Sequence, residues 1–238
     1  VHVDKSLVIQ GQGPGGTTLT GAVNEMTVTI EDTSEVTLSG FTIESTRNAV
    51  VVQTSTQVLL QDLLLESSGQ TAISADHSQL QIAQVDFRDH PYAAIDAQAS
   101  TAEIVDCTFT DLTGYGIRLN SSDATVLSCQ FDTVVFQPTT DDHDGTCIFA
   151  DDSTLTVDDT DISTCTRVGI YGIDSDLEVA NSTIQDCANG VAGIAGAASS
   201  VTDCTFSEVP LFGILLVDQD VVITGNTIEA TDPGPGTC

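Results

Sequence analysis

The sequence predicts an all-β fold: a parallel β-helix of about ten rungs, each of 22 residues with three short strands. Three observations predict it. Apolar residues recur at a fixed step, with Ile43, Leu65, Phe87, Phe109 and Phe131 spaced by 22, then Ile162, Ile184, Phe206 and Ile228 at the same step after one gap of 31. Within each period apolar residues sit two apart, the spacing of strands with one buried face. No window sustains the i, i+3, i+4, i+7 spacing of a helix. A repeat of this length is the mark of a solenoid, in which each unit buries its apolar side against the next.

The three strands of a rung follow in order. The first carries Ile73, Ile95, Ile117, Ile148, Ile170, Ala192 and Ile214. The second carries pairs such as Val36/Leu38, Val58/Leu60, Leu80/Ile82, Leu155/Val157 and Val221/Ile223. The third ends on the opening series, with an inward partner two residues earlier: Phe41, Leu63, Val85, Cys107, Cys129, Thr160, Ser182, Cys204 and Asn226. Between second and third strands runs a column of bend residues, Gly40, Asp62, Gln84, Asp106, Ser128, Asp159, Asn181, Asp203 and Gly225. Gly, Asn and Asp tolerate the left-handed backbone of a sharp corner. Gly116, Gly169 and Gly213 punctuate the entry to the first strand. At ~4.8 Å per rung the coil is a rod of roughly 45 Å. Residues 1–238 form one domain, with an N-terminal rung over 1–21, a loop insertion over 132–147 and a C-terminal tail over 229–238.

With its tight bend column and its opening stretch KSLVIQGQGPGGTTLTG, the chain resembles the right-handed parallel β-helix superfamily, the pectate-lyase-like fold, over nearly its whole length. That fold hosts lyases, hydrolases, esterases, maturation factors and adhesive or structural domains, so the resemblance implies architecture and not activity.

Composition narrows the partners. Lys and Arg total 5 against 35 Asp and Glu, a formal charge of -30. Nucleic acid and anionic membranes need a positive face and are poor partners. No segment reaches the ~20 apolar residues that span a bilayer. The chain opens on a strand pattern without a signal peptide, as a processed or trimmed piece of a secreted or cell-surface protein would. The N-terminal strand edge is open to end-to-end self-assembly, and the Pro- and Gly-rich tail TDPGPGTC is expected to terminate the other end.

Seven cysteines cannot all pair within the chain. Cys107 and Cys129 share the inward column with Cys204, where they act as small apolar fillers or form a bridge between adjacent rungs. Cys165 and Cys187, also 22 apart, start a loop where the backbone can adjust, and a Cys165–Cys187 disulfide is expected, with Cys147 as a competitor near that corner. No spacing of zinc type occurs.

The chemistry-bearing residues gather near the insertion VVFQPTTDDHDGT. In pectate-lyase-like enzymes the corresponding loops flank the first sheet and its substrate groove. The insertion carries Asp141, Asp142, His143 and Asp144, and the next strand leads to Asp151 and Asp152. Outward first-strand positions read Ser74, Asp96, Arg118, Phe149, Tyr171, Gly193 and Leu215, which sets Asp96 beside Arg118. An exposed acidic loop beside a cross-rung ion pair accounts for these residues without function. Asp141, Asp142, Asp144, Asp151 and Asp152 also suit a Ca2+ ion, since hard cations take oxygen ligands. The resemblance implies a third reading, a lyase in which Arg118 is the base and calcium-bound carboxylates, Asp96 among them, acidify a uronate. An inverting glycosidase would instead use two Asp residues ~6.5–9.5 Å apart. Against catalysis stand the absence of Trp, the low Tyr count of three and the lack of a lyase, esterase or polygalacturonase signature.

The first functional expectation is therefore a non-catalytic extracellular or cell-surface β-helix without a cofactor, a rigid structural, adhesive or assembly module that meets polysaccharide or another surface protein. The alternative is a calcium-dependent carbohydrate-active enzyme, a polysaccharide lyase or glycoside hydrolase, with its site on the first sheet near residues 132–147.

Overall fold

The computed structural model describes residues 1–136, 143–217 and 220–229. They form a parallel β-helix without helices. Ten parallel strands make the first sheet, from His2–Val3 through Thr71–Asp76, Ala93–Gln98, Tyr115–Asn120, Thr146–Asp151 and Val168–Ile173 to Phe212–Val217. The other two faces open with the short strands Leu7–Gln10 and Thr18–Thr20 and continue as strands of 11 residues, Ser34–Glu44 and Thr56–Glu66, that run through the bend. Later rungs split there, into Thr101–Val105 and Thr108–Thr113.

The corners follow the bend chemistry. Every residue of the predicted bend column has positive φ, from 49° at Asp159 to 73° at Gly40. The corner after the first strand is also left-handed, at Asp32, Thr54, His77, Ala99, Ser121, Asp152 and Asp174. Behind it runs a feature that apolar periodicity does not reveal, a buried serine ladder. The backbone N–H of Ser55, Ser78, Ser100, Ser122 and Ser153 each donates to the hydroxyl of the serine one rung on, at 3.0–3.1 Å. Most of these hydroxyls donate in turn to the carbonyl two residues earlier in their own rung. The ladder satisfies the donors that each corner turns inward, where an unpaired N–H is costly.

The predicted interior column is present. Ile43, Leu65, Phe87, Phe109, Phe131, Ile162, Ile184 and Phe206 are all buried. Phe87, Phe109 and Phe131 stack face to face, with centroids 4.7 and 4.2 Å apart and planes within 8°. Ile228 departs from the expectation: it pairs in register with Phe206 but is 58% exposed, because among the described residues no rung lies beyond it.

Three further readings are corrected. Val191, not Ala192, is the inward partner of Ile170 and Ile214, so Ala192 rather than Gly193 continues the outward column. The turn before this strand is one residue shorter, and a fixed step cannot see that. Gly116, Gly169 and Gly213 lie inside first-sheet strands rather than before them. Gly116 and Gly169 fill an inward position with no room for a side chain: a Cβ on Gly116 would meet the Phe131 ring at 2.8 Å, and one on Gly169 would meet Ile184 at 2.9 Å. The third correction is the disulfide, which joins Cys147 to Cys165 with a Cα–Cα distance of 6.2 Å. The expected Cys165–Cys187 bridge is absent, because Cys165 reaches across the corner to the first sheet. Cys187 stays a buried thiol that accepts the Cys165 N–H at 3.3 Å, and burial pushes it up to about 12. Cys107, Cys129 and Cys204 are free and buried, in the filler role.

The insertion is narrower than 132–147. Gln130–Val135 is a strand paired with Asp161–Cys165, and the next begins at Thr146. The tail reading for 231–238 lies outside the described residues.

Candidate functional site

The outer face of the first sheet carries the candidate site. Its register places Ser74, Asp96, Arg118, Phe149, Tyr171 and Leu215 in one outward row. At the strand entry the alternation breaks. Tyr115 packs outside the core, with Ala93 and Phe149, while the next residue, Gly116, takes the inward place. Gly114, at φ +94°, makes this possible, since a Cβ there would lie 2.2 Å from the Tyr92 carbonyl.

Three tyrosines are all that the chain has, and all three meet here. Tyr92 and Tyr115 contact edge to face at 6.2 Å, Phe149 lies 5.6 Å from Tyr115, and Tyr171 lies 5.7 Å from Phe149. His143, at the end of the insertion, stacks on Phe149 at 5.0 Å and touches Tyr171 at 5.2 Å. Thr146 Oγ1 donates to the His143 carbonyl at 2.7 Å and holds the loop end over the sheet. Desolvation raises the Tyr171 phenol above its ordinary value.

Arg118 joins the aromatic row to an acid. Its Nη1 donates to Tyr92 Oη at 2.6 Å and to Asp96 Oδ1 at 3.5 Å. The guanidinium carbon lies 5.7 and 5.9 Å from the Tyr92 and Tyr115 ring centroids, within cation–π range. Burial raises Asp96 above the usual carboxylate range, and the nearby Arg118 charge only partly offsets it. An open groove of about 500 Å³ adjoins the pair, lined by Asn48, Gln70, Ser74, Tyr92 and Asp96 among others. This arrangement offers aromatic surface for the apolar side of a sugar ring, amide and hydroxyl groups for its hydroxyls, and a carboxyl group that holds its proton more tightly than an exposed one.

The predicted site residues divide. Asp96 and Arg118 are register partners. Asp141 and Asp142 lie outside the described residues. Asp144 is buried just before the Thr146–Asp151 strand, while Asp151 and Asp152 follow at its far end, about 20 Å away at ~3.3 Å per residue. Asp151 accepts from Asn120 Nδ2 at 3.4 Å, and Asp152 accepts from Ser121 Oγ at 3.2 Å. Among the described residues no three His, Cys, Asp or Glu side chains group to hold a metal ion. The outward column already holds Phe149 and Tyr171 at a step of 22, but Tyr92, Tyr115 and His143 fall outside that column, so the step does not reveal the full cluster. Their rarity was the available signal, together with their places at first-strand entries and outward positions.

Sequence comparison agrees with this geometry at the level of the fold. The family model described as a right handed beta helix region matches residues 27–145 and 139–237. No curated protein matches the chain. Among solved structures it is similar to full-length tailspike protein 2 from Escherichia coli O157:H7 bacteriophage CAB120, with a TM-score of 0.65, 13% identity, and coverage of 91% of this chain and 35% of that one. It is also similar to the enzymatically active domain of bacteriophage CBA120 tailspike protein 2, with a TM-score of 0.60, 8% identity, and coverage of 100% and 48%. The catalytic domain of a GH87 α-1,3-glucanase is more distant, at a TM-score of 0.48 and 11% identity over 94% of this chain and 62% of that one. The chain thus spans about a third to a half of the tailspike chains, and at these identities the likeness is one of fold. The chain belongs to the right-handed β-helix family.

Proposed function

We propose that this right-handed β-helix is carbohydrate-active, and that its first-sheet face binds and cleaves a neutral glycan outside the cell. One observation carries the reading: the chain's three tyrosines pack in one cluster on the face that bears the Arg118–Asp96 pair, and Tyr92 and Asp96 line the groove beside it. A structural spacer has no need of such convergence, and the absence of Trp and the low Tyr count of three speak to the number of aromatics, not to their placement. The fold likeness to a tailspike domain described as enzymatically active is in keeping with the reading. Charge selects the substrate class. A surface at -30 repels polyuronates, whereas a neutral sugar chain meets no such barrier.

A rigid adhesive module is the second reading. It uses the same face and differs only in lacking turnover. Calorimetric titration against neutral oligosaccharides and uronate polymers, with and without calcium, tests binding, and release of reducing ends tests cleavage. The expected result is binding of a neutral oligosaccharide that Tyr171→Ala weakens at least about tenfold, since a lost aromatic anchor costs ~2 kcal/mol or more. Absence of binding across the panel, or binding that Tyr171→Ala leaves intact, overturns the proposal.

A further inference from the structure

The two outward rows of the first sheet change character along the rod. One reads Ser74, Asp96, Arg118, Phe149, Tyr171, Ala192 and Leu215, and the other reads Asp76, Gln98, Asn120, Asp151, Ile173, Ile194 and Val217. Polar and charged side chains hold the rows as far as Arg118 and Asp151. From Tyr171 and Ile173 onward, the Tyr171 phenol is the last polar group in either row. The aromatic cluster stands at the change. Ile194, Leu215 and Val217 are 37–40% exposed, and Phe212, at the start of the same strand as Leu215, is 51% exposed.

Size and charge decide what this surface holds. Three rungs at ~4.8 Å, with strands of six residues at ~3.3 Å per residue, make a patch of roughly 300 Å². Each partner in a stable protein interface buries ~800 Å². Two copies would also bring surfaces of -30 together. A glycan needs less area. One that is seated at the Asp96 groove and runs along the rod passes from the tyrosines straight onto the aliphatic rows. A hydroxyl pressed against Ile, Leu and Val loses its water and gains no partner. A methyl group in the same place is buried at a profit.

We propose that Ile173, Ile194, Leu215 and Val217 form a subsite for sugar units that carry methyl groups, as acetyl or 6-deoxy substituents. The inference rests on the glycan-binding reading above and adds which glycans the face selects. The polar half of the sheet takes a hydroxylated unit and the aliphatic half takes a methyl-bearing one, so the bound chain has one direction along the rod.

Calorimetric titration of the intact chain with matched neutral oligosaccharides tests the subsite. Each backbone of the panel is offered in three forms: fully hydroxylated, N-acetylated and 6-deoxy. An acetylated or 6-deoxy form should bind at least about tenfold more tightly than its hydroxylated match, since each buried methyl group is worth about fourfold. The two arms show which substituent supplies the methyl. A preference below about twofold in both arms overturns the proposal. The double variant Ile194→Thr/Val217→Thr keeps the β-branched shape that a strand favours and changes only exposed positions. It should bring the preference to within about threefold, and a preference that survives it intact overturns the proposal. Tyr171→Ala should instead weaken all three forms together. The failures are separable. Binding of no form across the panel overturns the glycan reading and this inference with it, whereas binding without a methyl preference overturns this inference alone. Light scattering covers the competing occupant: association that rises with concentration in wild type and is lost in the double variant makes the patch a contact between copies and overturns the proposal.

Discussion

Two aromatic clusters are built from the same rungs and differ in almost every respect. Inside the coil, Phe87, Phe109 and Phe131 stack within 8° of coplanar, one per rung. Outside, on the first sheet, Tyr115, Phe149, Tyr171 and His143 meet at angles from 14° to 58°, and only Phe149 and Tyr171 keep the 22-residue step. Register alone generates the first cluster, since any residue type set at a step of 22 must form a column. It supplies only the Phe149–Tyr171 step of the second, which also needs a bulged strand entry at Gly114–Gly116 and a loop that folds back through His143. In a solenoid, then, repetition reports packing, and a convergence that breaks the repeat points to a site.

This contrast can be broken most severely from the inside. Phe109→Asp should abolish folding, because no partner is available for a charge placed between two stacked rings. Phe109→Ala should cost about 3–5 kcal/mol in urea denaturation. Tyr171→Ala, on the outer cluster, should cost less than about 1 kcal/mol in the same assay, since Tyr171 is only partly buried. Equal costs at the two positions would erase the distinction.

A polar interior group sharpens it next. His90 lies in an inward corner position, 1% exposed, where Nε2 donates to the Leu65 carbonyl at 2.9 Å and Nδ1 bonds the Ser68 hydroxyl. Burial lowers it to about 4 from its ordinary 6.5. Between those values the unfolded chain binds a proton that the folded chain refuses, so stability falls as pH drops from 6.5 towards 4 and this contribution levels off below 4. The loss approaches about 3 kcal/mol. Urea melts at pH 7, 5.5 and 4.5 should show it in wild type, and His90→Gln should lack that part of the slope.

The smallest interior effect concerns the serine ladder. Ser100→Ala leaves the buried Ser78 N–H without its acceptor. The expected cost is about 1–3 kcal/mol, seen as faster hydrogen exchange at Ser78 with the rest of the rod unchanged. A surface hydroxyl such as Ser67 should show no comparable effect.

Much of the fold was legible because burial in a solenoid is periodic. The Ile43-to-Phe206 column and the bend column from Gly40 to Gly225 both follow from counting. Legibility failed where one residue was gained or lost, as at Val191, and where a side chain crossed a corner, as Cys165 does to reach Cys147. It failed also at Ile228, since periodicity assigns an inward direction but not a neighbour to cover it. At the site, the pairing of Asp96 with Arg118 followed from register. Tyr92 and His143 did not, because each arrives from a segment between strands, where spacing carries no directional information. The serines of the ladder were hidden by their polarity: a search for apolar columns passes over a buried hydroxyl.

That ladder has a direction. The N–H of each corner serine is satisfied by the serine that follows it in the chain and not by the one before. A rung newly made by the ribosome therefore ends with an open donor, and the next rung to emerge carries the group that closes it. Growth from the N-terminus leaves unsatisfied corner donors of this kind only at the advancing tip, whatever the length already formed. The chain can thus wind up in step with its own synthesis, each coil serving as the template on which the next is laid.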